Sequence, residues 1–389
     1  FSKVVNEIKT MMEVFVSPED YVEIRRVKIE NHGKIPISLE LTSYLEVVLS
    51  TEASDIAHRA FSNLFVRTEY LDEYKSLAAV RKPREVNGEE AWAFHTSIVE
   101  GDAVGSIEYE TNRVNFIGRG RSIQNPLAIH QPLSNTSGIV LDPIMSIRRV
   151  IRIEAGSHGE IPFITGFGAS RDKIKELLVK YKEKSSIQRA YELSITRSQV
   201  EGAYLNLDNQ DIVNFEKLIS QLVYNSPSRG MYRDSIIKNK KGQPSLWAYG
   251  ISGDLPIMLI SIMDERDIPT LKQAVKAHEF LRIKGLNVDL VILNLDESSY
   301  LQPMRTAIIS MVEGSNERYL IGKSGGIFII NAASISIEDR GLLFAASSVN
   351  FEAEKGPIEK QLMEITMKKQ ERGKNYINTR TRNSDLPTI

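Results

Sequence analysis

The sequence predicts an α+β protein of more than one domain: an antiparallel β-sandwich, linker helices, and then a mainly helical domain. Three observations carry this. Through residues 1–168, apolar and polar residues alternate in short runs broken by Gly- and Asn-containing turns, as in strands with one buried face. Over residues 169–206 the apolar spacing changes to that of amphipathic helices, and over 207–355 it stays mostly helical. The 389 residues, 42% of them hydrophobic, are enough to fill two cores.

In order, Phe1–Val16 reads as a strand, and Tyr21–Glu30 alternates cleanly before a turn at Asn31-His32-Gly33-Lys34. Further strands are expected at Ile35–Leu49, Phe61–Tyr70, Ser76–Val80, Ala91–Glu100, Ser106–Thr111 and Ile144–Ile153. Asn87-Gly88, Gly101-Asp102 and Ala155-Gly156 punctuate them. No helical crossovers separate these runs, which favours a sandwich over a parallel sheet. Phe116–Asp142 breaks the pattern as a long Gly/Pro/Asn-rich loop carrying Arg119, Arg121 and His130. It reads first as a cover for a sheet edge or a domain dock, and second as a ligand contact.

Ser170 caps a helix with Ile174, Leu177, Leu178 and Tyr181 on one face, and a second helix spans Ile187–Tyr204. Asp208–Tyr224 follows, with Ile212, Phe215, Leu218, Ile219 and Leu222 in a stripe. Pro269–Lys284 ends at Gly285, a favoured helix terminator. Val288–Leu293 reads as a buried strand or an apolar turn. Pro303–Val312 and Glu338–Val349 read as helices, and Gly326–Ile330 as a short strand. Residues 356–389 form a polar tail with little periodicity beyond Ile358–Met367.

Several function classes fall away. Lys+Arg (49) nearly cancels Asp+Glu (50), so the basic excess of a nucleic-acid protein is missing. The one local positive run, Lys368–Arg382, reads as a solvated terminus. Cysteine is absent, which removes disulfides, iron–sulfur sites and thiol nucleophiles. No apolar run approaches the roughly 20 residues that span a bilayer, and the N-terminus is not signal-like. The start at Phe1, already strand-like, is expected of a segment of a longer protein.

Gly322-Lys323-Ser324 is no phosphate loop, because Glu317 occupies the position of the required glycine. Gly118-Arg119-Gly120 lacks the third glycine of a dinucleotide fingerprint. The six histidines show no metal-ligand spacing, and Ser252-Gly253-Asp254 lacks a nucleophile elbow. Neither cofactor nor metal is expected.

The chain is organised around Gly242–Ile260, GQPSLWAYGISGDLPIMLI. Trp247, Tyr249, Ser252 and Asp254 lie there between apolar flanks, with glycines and prolines supplying bends. Sugar chemistry uses carboxylates, aromatic rings to stack on sugar faces, and amides or Arg for hydroxyls. Trp247, Tyr249, Asp254, His278, Arg282, Asn294, Asp296, Glu297, Tyr300 and Gln302 supply these types. Composition alone favours core positions for Trp247 and Tyr249, whereas Asp254 in apolar surroundings needs partners or caps Leu255–Ile262.

FSNLFVRTEY (61–70), RKPR (81–84), YETNRVNFIGRGRS (109–122), PLSNTSGIVLDPIMSIRR (132–149), LWAYGISGDLPI (246–257), AHEFLRIKGLNVDLVILN (277–294) and SSYLQP (298–303) resemble the bacterial cyclic β-1,2-glucan synthases. The likeness covers roughly residues 20–350. It falls in their glycoside-phosphorylase-like part, the former glycosyltransferase family 36 that includes cellobiose phosphorylase. The resemblance implies a mutarotase-like super-sandwich, linker helices and the start of an (α/α)6 barrel. Substrate-binding roles are expected for Trp247, Tyr249, Ser252, Asp254, His278, Arg282, Tyr300 and Gln302, and the resemblance implies β-glucan or a glucooligosaccharide and other domains of a larger chain as partners.

Active phosphorylases of this family carry an AYGFRD-type block whose Arg and Asp hold the sugar. Here Ala248-Tyr249-Gly250-Ile251-Ser252-Gly253-Asp254 stands in its place, with Ser-Gly for Arg-Asp. The later DWND-type motif bearing the general acid does not occur. The expectation is a degenerate, non-catalytic unit that binds or positions glucan. An active phosphorylase or transglycosylase, with Asp254 or Glu297 as acid, and a purely structural module are the alternatives. A cytoplasmic location follows from the resemblance.

Overall fold

The computed structural model describes residues 1–83, 90–224, 227–296 and 303–365. Its chain divides into two compact units after Ser198.

The first unit contains β1 (Ser2–Val5), β2 (Ile8–Val16), β3 (Val22–Asn31), β4 (Ile37–Thr42), β5 (Leu45–Glu46), α1 (Glu52–Asn63), β6 (Val66–Leu71), β7 (Ser76–Arg81), β8 (Ala91–Ser97), β9 (Asp102–Asn112), α2 (Arg113–Ile117), β10 (Pro143–Ile153), β11 (His158–Gly168), α3 (Arg171–Lys182) and the first part of α4 (Lys184–Tyr204). A seven-stranded antiparallel sheet has the order β1-β2-β3-β11-β8-β7-β6. In the smaller sheet β10 pairs with β4, β5 and β9. The alternation foreseen for Tyr21–Glu30 explains the layering. Val27 and Ile29 join Leu77, Ala79 and Ile161 against Met145, Ile147, Ile151 and Ile153 of β10, which forms the core between the sheets. The opposite face of the large sheet, with Ile24, Val80 and Phe94, is covered by Ile174, Leu177, Leu178 and Tyr181 of α3 and Ile187 of α4.

The antiparallel sandwich is the expected one, and Ser170 caps α3 by accepting from the Lys173 amide at 3.1 Å. Two details differ. Phe61–Asn63 belong to α1, capped by Thr51 and kinked at His58, so that strand starts only at Val66. The strand β11 is not legible in the sequence, because Gly159, Pro162 and Gly166 interrupt its pattern. Pro162 is tolerated because its carbonyl accepts from the Ile98 amide, just past the end of β8. A residue's N and O point to the same side in an antiparallel ladder, so the proline omits one bond to Ile98 while the pairing resumes at Glu100 and Glu160, which exchange both of theirs.

Gly166 sits directly opposite Phe94. A Cβ there would lie 2.2 Å from the Phe94 ring, so the glycine makes room for the aromatic. Gly166→Ala is expected to destabilise the sandwich by about 1–3 kcal/mol. Urea unfolding followed by Trp92 fluorescence checks this, and an unchanged midpoint would remove the packing argument.

The loop Phe116–Asp142 packs Phe116, Ile117, Ala128 and Leu133 around Ile144 and Tyr44. Arg148 of β10 holds it by donating to the carbonyls of Ala128 and Gln131. Arg119, Arg121 and His130 are exposed.

The second unit holds α5 (Asn209–Val223), α6 (Arg233–Lys238), β12 (Ile257–Ile262), α7 (Ile268–Ile283), β13 (Asp289–Asn294), α8 (Pro303–Glu313), β14 (Ile327–Asn331), α9 (Ile337–Ala346) and β15 (Val349–Glu352). Helices follow the sandwich as expected, but here they flank a sheet, which corrects the mainly helical, partial (α/α)6-barrel expectation. The order is β14-β13-β12-β15, all parallel. Helices α5, α7 and α8 cover one face, while α9 and the segment around Leu246–Ile251 cover the other. The physical reason is double-sided burial. Met258, Leu259 and Ile260 are all buried, so a central parallel strand reads as a continuous apolar run that periodicity cannot distinguish from a helix segment. The run Leu255–Ile262 therefore reads as a capped segment, and Val349 as a helix end, although both belong to strands.

Ile358, Leu362 and Ile365 pack into the same core as α7, so the chain is ordered beyond residue 355. The turn at Asn87-Gly88, the basic run Lys368–Arg382, and Glu297, Tyr300 and Gln302 lie outside the described residues. Among the described residues no helix is long and apolar enough to cross a membrane.

Candidate functional site

The stretch Gly242–Ile260 lies on the α9 face of the parallel sheet. Leu246 and Ile251 are buried there against Ile257, Leu259 and Phe328, so they anchor it at two points. Gln243–Tyr249 forms a tight 3-10 turn with a proline at its start, closed by Gly250 in the left-handed region (φ 76°). Between the anchors Trp247 projects outward, 61% exposed. Its indole N–H donates to the Ser252 carbonyl at 3.2 Å. The Gln243 amide donates to that same carbonyl and to Asp254 Oδ1, both at 2.9 Å. The Asp254 amide in turn donates to Ser252 Oγ at 3.2 Å. Gly253 is required as well, since a Cβ would lie 2.9 Å from Gln243. The result is a loop with few free rotations, presenting an aromatic face beside an exposed carboxylate. That exposure corrects the expectation of Asp254 in apolar surroundings.

A groove of about 480 Å³ runs alongside, lined by Lys241, Gln243, Leu246, Asp254, Leu342 and Ser348. Tyr249 is half-buried and lines a second hollow, of about 470 Å³, with Arg305, Asn331 and Ser334. Its hydroxyl faces Asp339, and burial together with that carboxylate pushes the phenol up. The Asp339 carboxyl is held below its usual range, first by Lys241 at 2.7 Å and then by Ser336.

The structure brings Trp247, Ser252 and Asp254 together with Gln243, but it places His278 and Arg282 elsewhere. His278 is 1% exposed, and both its ring nitrogens are taken. Nε2 donates to the Val288 carbonyl at 2.8 Å. Nδ1 lies 2.9 Å from Glu317 Oε2, out of line for a hydrogen bond. Arg282, one helical turn along α7, donates to Glu317 Oε1 from Nε at 3.0 Å and reaches it with Nη2 at 2.8 Å. Burial alone would raise Glu317, but His278 and Arg282 together hold its carboxyl below the usual range. These two predicted sugar ligands thus form a clamp between α7 and the loop before β14, because i,i+4 spacing puts buried His278 and exposed Arg282 on one side of the helix.

Asp289, at the start of β13, is 0% exposed. One oxygen accepts from the Gly325 amide at 2.7 Å, and burial pushes this carboxyl up, with the Asp254 charge adding to the rise. Asn294 is also buried, and its side chain accepts from the Asp296 amide at 3.0 Å. Among the described residues no group of three or more His, Asp or Glu is arranged to hold a metal ion.

Sequence reasoning missed Gln243, Lys241, Asp339, Asp289 and Glu317. Gln243 and Lys241 flank the start of the singled-out stretch, which is a usable signal. Glu317 is visible in the sequence only as a residue that spoils a phosphate loop.

Residues 1–184 match the glycosyl hydrolase 94 supersandwich domain. Over 369 residues the chain is 30% identical to the cyclic β-(1,2)-glucan synthase NdvB of Rhizobium meliloti (strain 1021); the alignment takes in 94% of this chain and 13% of that protein. Among solved structures, a polysaccharide lyase is 11% identical over 46% of this chain and 22% of its own, with a TM-score of 0.29. A protein assigned as a kojibiose phosphorylase from human microbiome is 11% identical over 55% of this chain and 21% of its own, with a TM-score of 0.26. Both structural likenesses are too slight to carry any argument about mechanism. Residues 1–184 therefore belong to the supersandwich domains of glycosyl hydrolase 94, and the chain is a homologue of one stretch of a cyclic β-(1,2)-glucan synthase.

Proposed function

We propose that this chain is a degenerate glycoside-phosphorylase-like unit of a cyclic β-1,2-glucan synthase-like protein, which binds or positions β-glucan without cleaving it. The observation that carries the reading is the exposed, fixed ring of Trp247 beside Gln243 and Asp254. Its contrast is Trp92, the other tryptophan, which is 7% exposed in the sandwich core. A ring held before the ligand arrives loses little freedom on binding, and a sugar face stacks on it while the neighbouring amide and carboxylate meet hydroxyls. A purely structural module would bury Trp247 and Asp254, and both are exposed.

Support for the non-catalytic part comes from the carboxylates. Glycosidic-bond chemistry uses two acids flanking the scissile bond. Among the described residues the acid coupled to Asp254 is Asp289, which is walled off beneath Gly325. Ser252-Gly253 also replaces the Arg-Asp that holds sugar in the active members the chain resembles. The chain spans 13% of its relative, so the reading assigns the chemistry to other domains of a larger protein, and it places the segment in the cytoplasm.

Calorimetric titration with linear β-1,2-glucan tests this. Saturable binding is expected, weakened about tenfold or more by Trp247→Ala, with no sugar phosphate formed when inorganic phosphate is added. Wild-type affinity in Trp247→Ala would remove the stacking platform from the account, and turnover would make the unit an enzyme.

A further inference from the structure

The lining of the groove beside Trp247 carries two charged side chains among the described residues, Lys241 and Asp254. Only one of them is neutralised. Lys241 Nζ lies 2.7 Å from Asp339 Oδ1. Ser336 Oγ donates to the other oxygen of that carboxylate at 2.7 Å, and the Tyr249 hydroxyl faces it as well. The lysine is thus committed to a carboxylate that is fixed from three sides, and the pair adds no net charge. Asp254 has no such match. Its Oδ1 accepts from the Gln243 amide at 2.9 Å, which is a neutral donor, and it makes no ion pair among the described residues.

The surroundings do not supply the missing cation. Leu246 and Leu342 make the groove wall apolar, and Ser348 adds a neutral hydroxyl. Buried Asp289 is a second carboxyl: burial pushes it up, and the Asp254 charge adds to the rise, so the field of Asp254 reaches beneath the loop. Arg305 belongs to the neighbouring hollow lined by Tyr249, where it is exposed. A sugar hydroxyl meets a fixed carboxylate as donor to acceptor. A ligand carboxylate or phosphate brought to the same place meets a like charge instead.

We propose that this groove selects neutral glucan and rejects sugars that carry carboxylate or phosphate groups, with Asp254 as the residue that sets this specificity. The inference rests on the glucan reading and adds the charge class of its ligand. Discrimination here works by a repulsive element against the wrong ligand as much as by contacts to the right one. The same charge opposes the entry of inorganic phosphate, which phosphorolysis consumes, in line with a unit that holds glucan without cleaving it.

The test is calorimetry on the full chain with two probes, linear β-1,2-glucan and the same glucan oxidised at C6 to glucuronate units. At low salt the oxidised glucan is expected to bind about fivefold more weakly. In about 1 M salt the gap should shrink to within about twofold. Asp254→Asn keeps the oxygen that Gln243 bonds and should close the gap at low salt, whereas Arg305→Gln should leave the ratio unchanged. Because the ratio of two affinities is read, a general weakening of the site cancels. The proposal is overturned if the oxidised glucan binds wild type as tightly as the neutral one, or if the gap survives in Asp254→Asn, and the glucan reading stands in both cases. If neutral glucan itself does not bind, both fall together.

Discussion

Glu317→Ala is expected to cost the second unit about 1.5–3 kcal/mol, because it removes the buried carboxylate that pairs with Arg282 and lies against His278. Glu317 is fully buried, with Arg282 on one oxygen and His278 against the other. The clamp joins α7 to the loop entering β14, so its loss should be felt in the sheet. Amide hydrogen exchange at Val291 and Ile292 of β13 is the readout, with protection falling by about one to two orders of magnitude. The sign of the pH effect follows from the same geometry. The Glu317 carboxyl is held below its usual range, so its contribution is present above that range and is lost as pH falls through the lowered value. Glu317→Gln should remove this acid-side loss. Unchanged protection in Glu317→Ala would mean the clamp contributes nothing.

The second large effect belongs to His95 and the sandwich. His95 of β8 sits between two hydroxyls: Ser43, in the link between β4 and β5, is 2.7 Å from Nε2, and Thr165 of β11 is 2.9 Å from Nδ1. Hydroxyls donate or accept as needed, so they satisfy a neutral ring of either tautomer. Burial, helped by the Arg25 charge, brings this imidazole from 6.5 down to about 3. Between those values the unfolded chain takes up a proton that the folded one refuses. Stability is therefore complete above the ordinary imidazole range and is lost as pH falls toward the folded value. By pH ~4.5 the loss from this residue is about 2–3 kcal/mol. His95→Gln should be less stable at neutral pH yet show a flatter decline into acid, read from urea unfolding by Trp92 emission in a Trp247→Phe background. Equal slopes in the two proteins would contradict the assignment.

How far the sequence could be read depended on what each element faces. The strand β3 was legible because Val27 and Ile29 meet the inter-sheet core while the other face carries charged residues such as Arg26 and Lys28 beside Ile24. The strand β12 was illegible, because the sheet is covered on both sides and Met258 through Ile260 offer no polar phase. The short strand β15 vanished into the end of α9 for the same reason, and β11 was hidden by the glycine that accommodates Phe94. At the site, Trp247, Ser252 and Asp254 were recognisable because glycines and prolines bracket an aromatic and an acid, a mixture a core helix does not need. His278 and Arg282 have equally sugar-friendly chemistry, but nothing local reveals that their face of α7 meets Glu317. Long-range pairing of charges leaves no mark in spacing.

The most direct test of the glucan reading isolates one chromophore. With Trp92 replaced by Phe, tryptophan emission comes from Trp247 alone. Titration of that protein with linear β-1,2-glucan should give a saturable change in intensity and wavelength, reduced in Gln243→Ala and Asp254→Ala. No change up to millimolar glucan would contradict the account and leave the exposed ring of Trp247 without a sugar to stack on.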